Sequence, residues 1–215
     1  KLPMDVSLGG TDLRTDPAGA LNPAVKEVLR SALMVIGPNA TEETRLHEML
    51  GLSVPFHVVP RGVEIPEDWQ PTTPSNRGLR GVVVGGIREV KGQDIALRWW
   101  GPVIEADYAA EIHQLVLSDA QLHWKGPVPA EEMPSIYQGA DFLLNTSRLE
   151  GAANAILEAW AHGLPVAARS APGNLAMLES ASDQVGILVS DNESGLATLA
   201  DWLRKLESAN RQTVG

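Results

Sequence analysis

The residues best suited to chemistry lie in one run, Asn145-Thr146-Ser147-Arg148-Leu149-Glu150-Gly151-Ala152-Ala153-Asn154-Ala155-Ile156-Leu157-Glu158-Ala159-Trp160. Gly151, Ala152 and Ala153 are small enough for a phosphate or a sugar to approach the backbone closely. The apolar run Asp141 to Leu144 before them reads as a buried strand. The stretch after them, Ala153 to His162, is rich in helix formers and is closed by Gly163. A strand, a small-residue turn and a helix N-terminus make a preformed anion site, because the first-turn N–H groups point outward unpaired. Glu150 stands just before this helix and Glu158 about two turns inside it. At that spacing the carboxylates share no helical face, so they are not a simple acid/base pair. The plainer reading is an ordinary strand–turn–helix with solvated glutamates.

A second group follows another apolar run. Gly81 to Ile87 reads as a strand ending in Gly85-Gly86, with Arg88 and Lys91-Gly92 close behind. It is neither G-x-G-x-x-G nor a P-loop, because the third glycine and the Lys-Ser/Thr pair are missing. Cations there suit an anionic ligand; the plainer reading of Lys91 is an exposed lysine at a helix start.

Composition narrows the partners. A net charge of −10 argues against nucleic acid or an anionic membrane surface, which both call for a basic face. The absence of cysteine removes disulfides, thiolate metal sites and cysteine nucleophiles, and the five dispersed histidines show no metal-ligand spacing. No apolar run approaches the ~18 residues of a membrane span and no signal-peptide pattern opens the chain, so a cytoplasmic protein is expected. Asn39-Ala40-Thr41, Asn145-Thr146-Ser147 and Asn192-Glu193-Ser194 match the glycosylation sequon and are read as coincidence.

The elements that must position these residues alternate. Met4 to Leu8 reads as a strand, running into the turn Gly9-Gly10-Thr11-Asp12. Asn22-Pro23 starts a helix with Val25, Val28, Leu29 and Ala32 on one stripe. Leu33 to Ile36 and Phe56 to Val59 read as strands around a helix from Thr41 to Leu50, the βαβ rhythm of a parallel sheet. Glu64 to Asn76, with three prolines, reads as a linker. Ile104 to Leu117 reads as a helix, Leu122 to Lys125 as a strand and Ala130 to Gly139 as a helix. Strands follow at Pro165 to Ala168 and Val185 to Val189, with a turn at Pro172-Gly173-Asn174 between them. A last helix from Glu193 carries Leu196, Leu199, Trp202, Leu203 and Leu206 and stops near Leu206. Only nine residues separate Lys91 from Gly101, where a helix plus a strand would take roughly twenty. Asp94 to Trp100 is therefore expected to be a truncated hybrid of the two, or the scar of a deletion, with Trp99 and Trp100 serving as packing rather than as a sugar platform.

Glu150-Gly151 through Asn154 to Glu158-Ala159, flanked by Asn145-Thr146-Ser147 and by Gly163-Leu164-Pro165-Val166-Ala167, resembles the E-x7-E segment of retaining glycosyltransferases of GT-B fold, the glycosyl transferases group 1 or family 4-like proteins. The resemblance runs in order from Leu8 to about Leu206. It implies Rossmann-like parallel sheets: residues 1–63 as the C-terminal part of an acceptor-side domain, 64–79 as linker, and 80–215 as a slightly shortened nucleotide-sugar-binding domain. It implies that Glu150 faces the donor sugar, that Glu158 holds the ribose hydroxyls, and that the backbone of Gly151, Ala152, Ala153 and Asn154 meets sugar and diphosphate. Lys91 matches the lysine of the family's Gly-Arg…Lys-Gly loop. Gly86 occupies its arginine position, which leaves Arg88, beside Gly85 and Gly86, to supply the second cation. Pro127 and Val128 fall where the family places the nucleobase. Gly9, Gly10, Thr11 and Asp12 resemble a His-Gly-Thr-Asp-like acceptor-side loop, with Gly9 in place of the histidine.

The implied reaction is sugar transfer from a nucleotide sugar to an unknown acceptor with retention of configuration. No metal or other cofactor is expected, and no Asp-x-Asp motif occurs. A sugar-nucleotide epimerase of similar fold and a non-catalytic nucleotide-binding remnant are the alternatives. The start at Lys1, close to a strand and without methionine, leads us to expect a fragment or a processed product.

Overall fold

A computed structural model describes residues 4–8, 13, 15, 20–65, 67, 78–85, 91–92, 98–100, 114, 116–117, 123–179 and 181–213. The chain divides into two compact units: residues 1–62 with 149–153 and 171–179, and residues 63–148 with 154–170 and 180–215.

In the first unit, β1 (Asp5–Ser7), β2 (Met34–Gly37) and β3 (Phe56–Val58) form a parallel sheet in sequence order. Between them run α1 (Pro23–Arg30) and α2 (Ala40–Leu50). α1 begins as its sequence dictates: Asn22 Oδ1 accepts from the Ala24 N–H at 2.9 Å, and Pro23 occupies the first helical turn. Its stripe is narrower than expected, since Leu29 is buried but Val28 is 42% exposed. Leu29, Val35, Leu46 and Leu50 meet in the core with Leu8, Leu13, Leu21 and Val54.

The second unit holds β4 (Gly81–Val84), β5 (Arg98–Trp100), β6 (His123–Trp124), β7 (Phe142–Asn145), β8 (Val166–Arg169) and β9 (Gly186–Val189). They form one parallel sheet in the order β6-β5-β4-β7-β8-β9. The chain builds outward from β4 through β5 to β6, then returns to the other flank of β4 with β7. The two halves of the sheet therefore part between β4 and β7, the topological switch point at which open α/β sheets take their ligands. β4 and β7 are joined at their starts as well, where Arg80 N–H donates to Asp141 Oδ2 at 2.7 Å and Asp141 N–H to the Arg80 carbonyl at 2.8 Å. α3 (Met133–Gln138) precedes β7, and α4 (Asn154–Ala161) precedes β8. On one face, Val83, Phe142, Leu144, Ala167 and Ile187 pack with Trp202 of α6 (Glu193–Thr213). The Phe142 and Trp202 rings meet edge to face at 5.8 Å.

Of Asp94 to Trp100, the structure describes Arg98–Trp100, a strand paired to β4 through Val83–Trp99 and Val84–Trp100, while Asp94 to Leu97 lie outside the described residues. A parallel connection needs a dozen or so residues, and the span between Val84 and Arg98 meets that requirement. Pro172-Gly173-Asn174 is the first turn of α5 (Pro172–Leu178), not an isolated turn, with proline at the helix start where its missing N–H costs nothing. The last helix does not stop near Leu206. It continues to Thr213 because Glu207 to Thr213 contains no glycine or proline to break it. Asn210 Nδ2, on that extension, reaches Asp141 Oδ1 at 3.4 Å, while Leu196, expected inside, is 65% exposed.

Candidate functional site

Within the second unit, the site is built where the chain leaves β4 and β7. Thr146, the first residue past β7 and 2% exposed, donates its hydroxyl to the Lys91 carbonyl at 2.8 Å. Gly92 sits against the same residue with φ +61°, and a Cβ there would lie 2.4 Å from the Thr146 carbonyl oxygen. Only glycine allows both that backbone conformation and that approach. The segment carrying Lys91 is thus pinned across the carboxyl end of β7, and Lys91 itself is half-buried. Gly85, half-buried at φ +147°, ends β4 beside the switch point. Asn145 turns the chain after β7, its Oδ1 accepting from Ser147 N–H at 3.1 Å.

A cavity of about 370 Å³ begins at Gly92 and Thr146 and extends over the carboxyl ends of β7, β8 and β9 to Leu196 and Leu199. Arg148 and Arg169 lie on its lining. Arg169 is engaged with Asp191, donating through Nε to Oδ1 at 2.6 Å and through Nη2 to Oδ2. That hydrogen bond holds the Asp191 carboxyl below its ordinary pKa. The pair is exposed, so its worth to stability is small.

Glu158 is half-buried on α4. Its Oε2 accepts from the Tyr137 hydroxyl at 2.6 Å, and its carbonyl accepts from His162 Nδ1 at 2.8 Å, which places that ring's proton on Nδ1. The His162 ring stacks on Tyr137 at 4.9 Å and 25°. Burial first, then the bond to Glu158 and its charge, push the Tyr137 hydroxyl far above its ordinary pKa. Asn154, the first residue of α4, is exposed. Pro127 and Val128 follow β6, the first exposed and the second half-buried.

Within the first unit, Glu150 is 5% exposed, and Gly151 and Ala153 are buried while Ala152 is half-buried. Two neighbours fix the loop. Asn39 Nδ2 donates to the Gly151 carbonyl at 2.6 Å, while its Oδ1 caps α2 by accepting from Glu42 N–H. Gly173 comes so close that a Cβ would lie 2.3 Å from the Glu150 carbonyl oxygen and 2.6 Å from that of Gly151. Gly86, Arg88, Gly9, Gly10, Thr11 and Asp12 lie outside the described residues.

The sequence reading missed Thr146, Tyr137 and Asn39 as supports. Thr146 stands in the quoted run without a role, Tyr137 lies without a role in the helix read at Ala130 to Gly139, and Asn39 is met only as the first residue of a sequon.

Residues 80–206 match the family described as glycosyl transferases group 1. The chain belongs to this family. Among solved structures it is similar to HepE of Anabaena, solved in complex with UDP-glucose, at 20% identity and a TM-score of 0.75, covering 98% of this chain and 64% of that one. It is similar to sucrose-phosphate synthase of Thermosynechococcus elongatus at 20% identity and a TM-score of 0.72, covering 98% and 62%. TarM of S. aureus matches at 14% identity and a TM-score of 0.66, covering 99% and 47%. At these identities the likeness carries the GT-B fold. The chain spans about half to two thirds of the length of these three structures. Among the described residues, no helix is long and apolar enough to cross a membrane.

Proposed function

We propose that this glycosyl transferases group 1 chain binds the nucleotide-sugar donor of a retaining, metal-independent sugar transfer in the cytoplasm. The observation that carries the reading is the Thr146–Lys91 junction at the carboxyl ends of β4 and β7. It ties the Lys91 backbone to the residue that follows β7, and this supports a cation near the switch point of the second unit's sheet. Lys91, with Arg88, takes the diphosphate; the amides of Gly151, Ala152, Ala153 and Asn154 meet phosphate and sugar. Glu158 accepts from the ribose hydroxyls, Glu150 faces the donor sugar, and Pro127 and Val128 lie beside the base. Gly85 keeps the end of β4 open, Gly86 is assigned with it to the donor side, and Gly9 to Asp12 belong to the acceptor side. Residues 1–63 form that side, 64–79 the linker and 80–215 the donor domain.

In the transfer, the bond from the anomeric carbon to the diphosphate oxygen breaks as the acceptor oxygen bonds the same face. The acceptor proton passes to the departing diphosphate, so no protein nucleophile is required. Lys91 and the fixed amides offset the charge that develops on the leaving group. The UDP-glucose bound by HepE supports a nucleotide-sugar donor here; the acceptor is left open.

Calorimetry with UDP, GDP and ADP against UMP, GMP and AMP tests the reading. We expect at least one diphosphate to bind more tightly than its monophosphate, by about tenfold for one charge-assisted contact to the second phosphate. Equal binding within every pair, or none, would overturn the donor-site assignment.

A further inference from the structure

We propose that Tyr137 is a positioning residue for the nucleotide ribose: its hydroxyl holds the Glu158 carboxylate in the rotamer that receives the ribose hydroxyls. The proposal rests on the reading of Glu158 given above. Tyr137 is 1% exposed, yet its hydroxyl is not idle, because it donates to Glu158 Oε2 at 2.6 Å, a short bond to a carboxylate. Glu158 is only half-buried, and its carboxylate makes no other hydrogen bond among the described residues. A carboxylate offers about four acceptor positions. Tyr137 uses one, which leaves Oε1 and part of Oε2 for donors from outside the protein.

The phenol is itself fixed by the helix that carries Glu158. His162, one turn further along, donates Nδ1–H to the Glu158 carbonyl and lays its ring on Tyr137. The circuit is closed: the Glu158 backbone holds His162, His162 stacks on Tyr137, and Tyr137 holds the Glu158 side chain. A glutamate on a helix surface otherwise samples several rotamers, and freezing them on binding weakens affinity. A carboxylate already frozen binds a vicinal diol without that loss. A bond that only tied α3 to α4 would matter to stability and not to which sugar is bound.

Binding of UDP and 2′-deoxy-UDP, and of the ADP and GDP pairs, is measured by calorimetry on the 215-residue chain, with thermal melts as a control. The parent should prefer the ribose form. Tyr137→Phe removes one oxygen and keeps the ring, and it should weaken ribonucleotide binding about three- to tenfold while leaving the deoxy form little changed. Glu158→Gln should remove the preference, and the double variant should be no worse than Glu158→Gln alone, because both act through one carboxylate. His162→Leu, which loosens the phenol and leaves its hydroxyl in place, should lose part of the preference; this keeps the proposal testable should Tyr137→Phe fold poorly. If Glu158→Gln loses the preference while Tyr137→Phe and His162→Leu keep it, Tyr137 is a structural residue only; the proposal falls and the donor-site reading stands. A parent chain that does not distinguish ribose from deoxyribose, or binds none of these nucleotides, overturns the ribose role of Glu158 and this proposal with it.

Discussion

Tyr137 shows how one buried hydroxyl ties stability to pH. Its folded-state pKa lies far above the ordinary value near 10, chiefly through burial and then through Glu158. Below about pH 10 the phenol is protonated in both folded and unfolded chains, so the contribution is constant. Above it the unfolded chain sheds the proton and the folded chain keeps it. The unfolded state then binds fewer protons, and stability falls by about 1.4 kcal/mol per pH unit from this group. Tyr137→Phe has no proton to lose. Between pH 9 and 11 the urea midpoint of the parent should therefore drop more steeply than that of the variant. Parallel slopes for the two proteins would show that the phenol is less enclosed than its burial implies.

At the scale of elements, α5 is placed by a contact rather than by its composition. Gly173 stands in its first turn, where alanine would favour the helix by about 1 kcal/mol. The added Cβ would, however, lie 2.3 Å from the Glu150 carbonyl and 2.6 Å from that of Gly151, and both are backbone atoms that cannot swing aside. The clash outweighs the propensity, so Gly173→Ala should cost a net ~1–3 kcal/mol, read as a lower urea midpoint, and should disturb the loop that bears Glu150. A variant more stable than the parent would mean that the loop yields freely. The same residues show what the sequence made legible. The alternation of apolar runs with helical stripes placed most of the strands and helices within a residue or two, because burial of one face imposes the periods. Pro172-Gly173-Asn174 was misread because its residue types serve a turn and a helix start equally well, and tertiary packing decides between them. For the site, the run carrying Glu150 and Glu158 was legible because its residues are contiguous. Thr146–Lys91, Tyr137–Glu158 and Asn39–Gly151 join positions 55, 21 and 112 apart, and no local pattern encodes such pairs.

At the scale of the whole molecule the two sheets differ in how they end. In the second unit β4, β7, β8 and β9 of the sheet share a core on which Trp202 closes. Among its described residues the first unit has three strands and a core cluster of eight buried apolar residues, few enough that its edges matter. Among the described residues, β3 pairs only with β2, so its outer backbone groups face outward in a row. The chain there is also apolar and open: Val58 is 37% exposed and Val59 49% exposed. An exposed apolar edge strand is a template for pairing with another chain, and lysine on the edge is a common way of preventing it. At tens of micromolar the parent should therefore self-associate in light scattering. Val58→Lys should reduce the scattering several-fold without changing the far-ultraviolet circular dichroism, since the side chain it replaces is already partly in solvent. Association that persists unchanged in Val58→Lys would place the sticky surface elsewhere. Loss of the dichroism signal would instead show that Val58 is needed to hold β3 against β2.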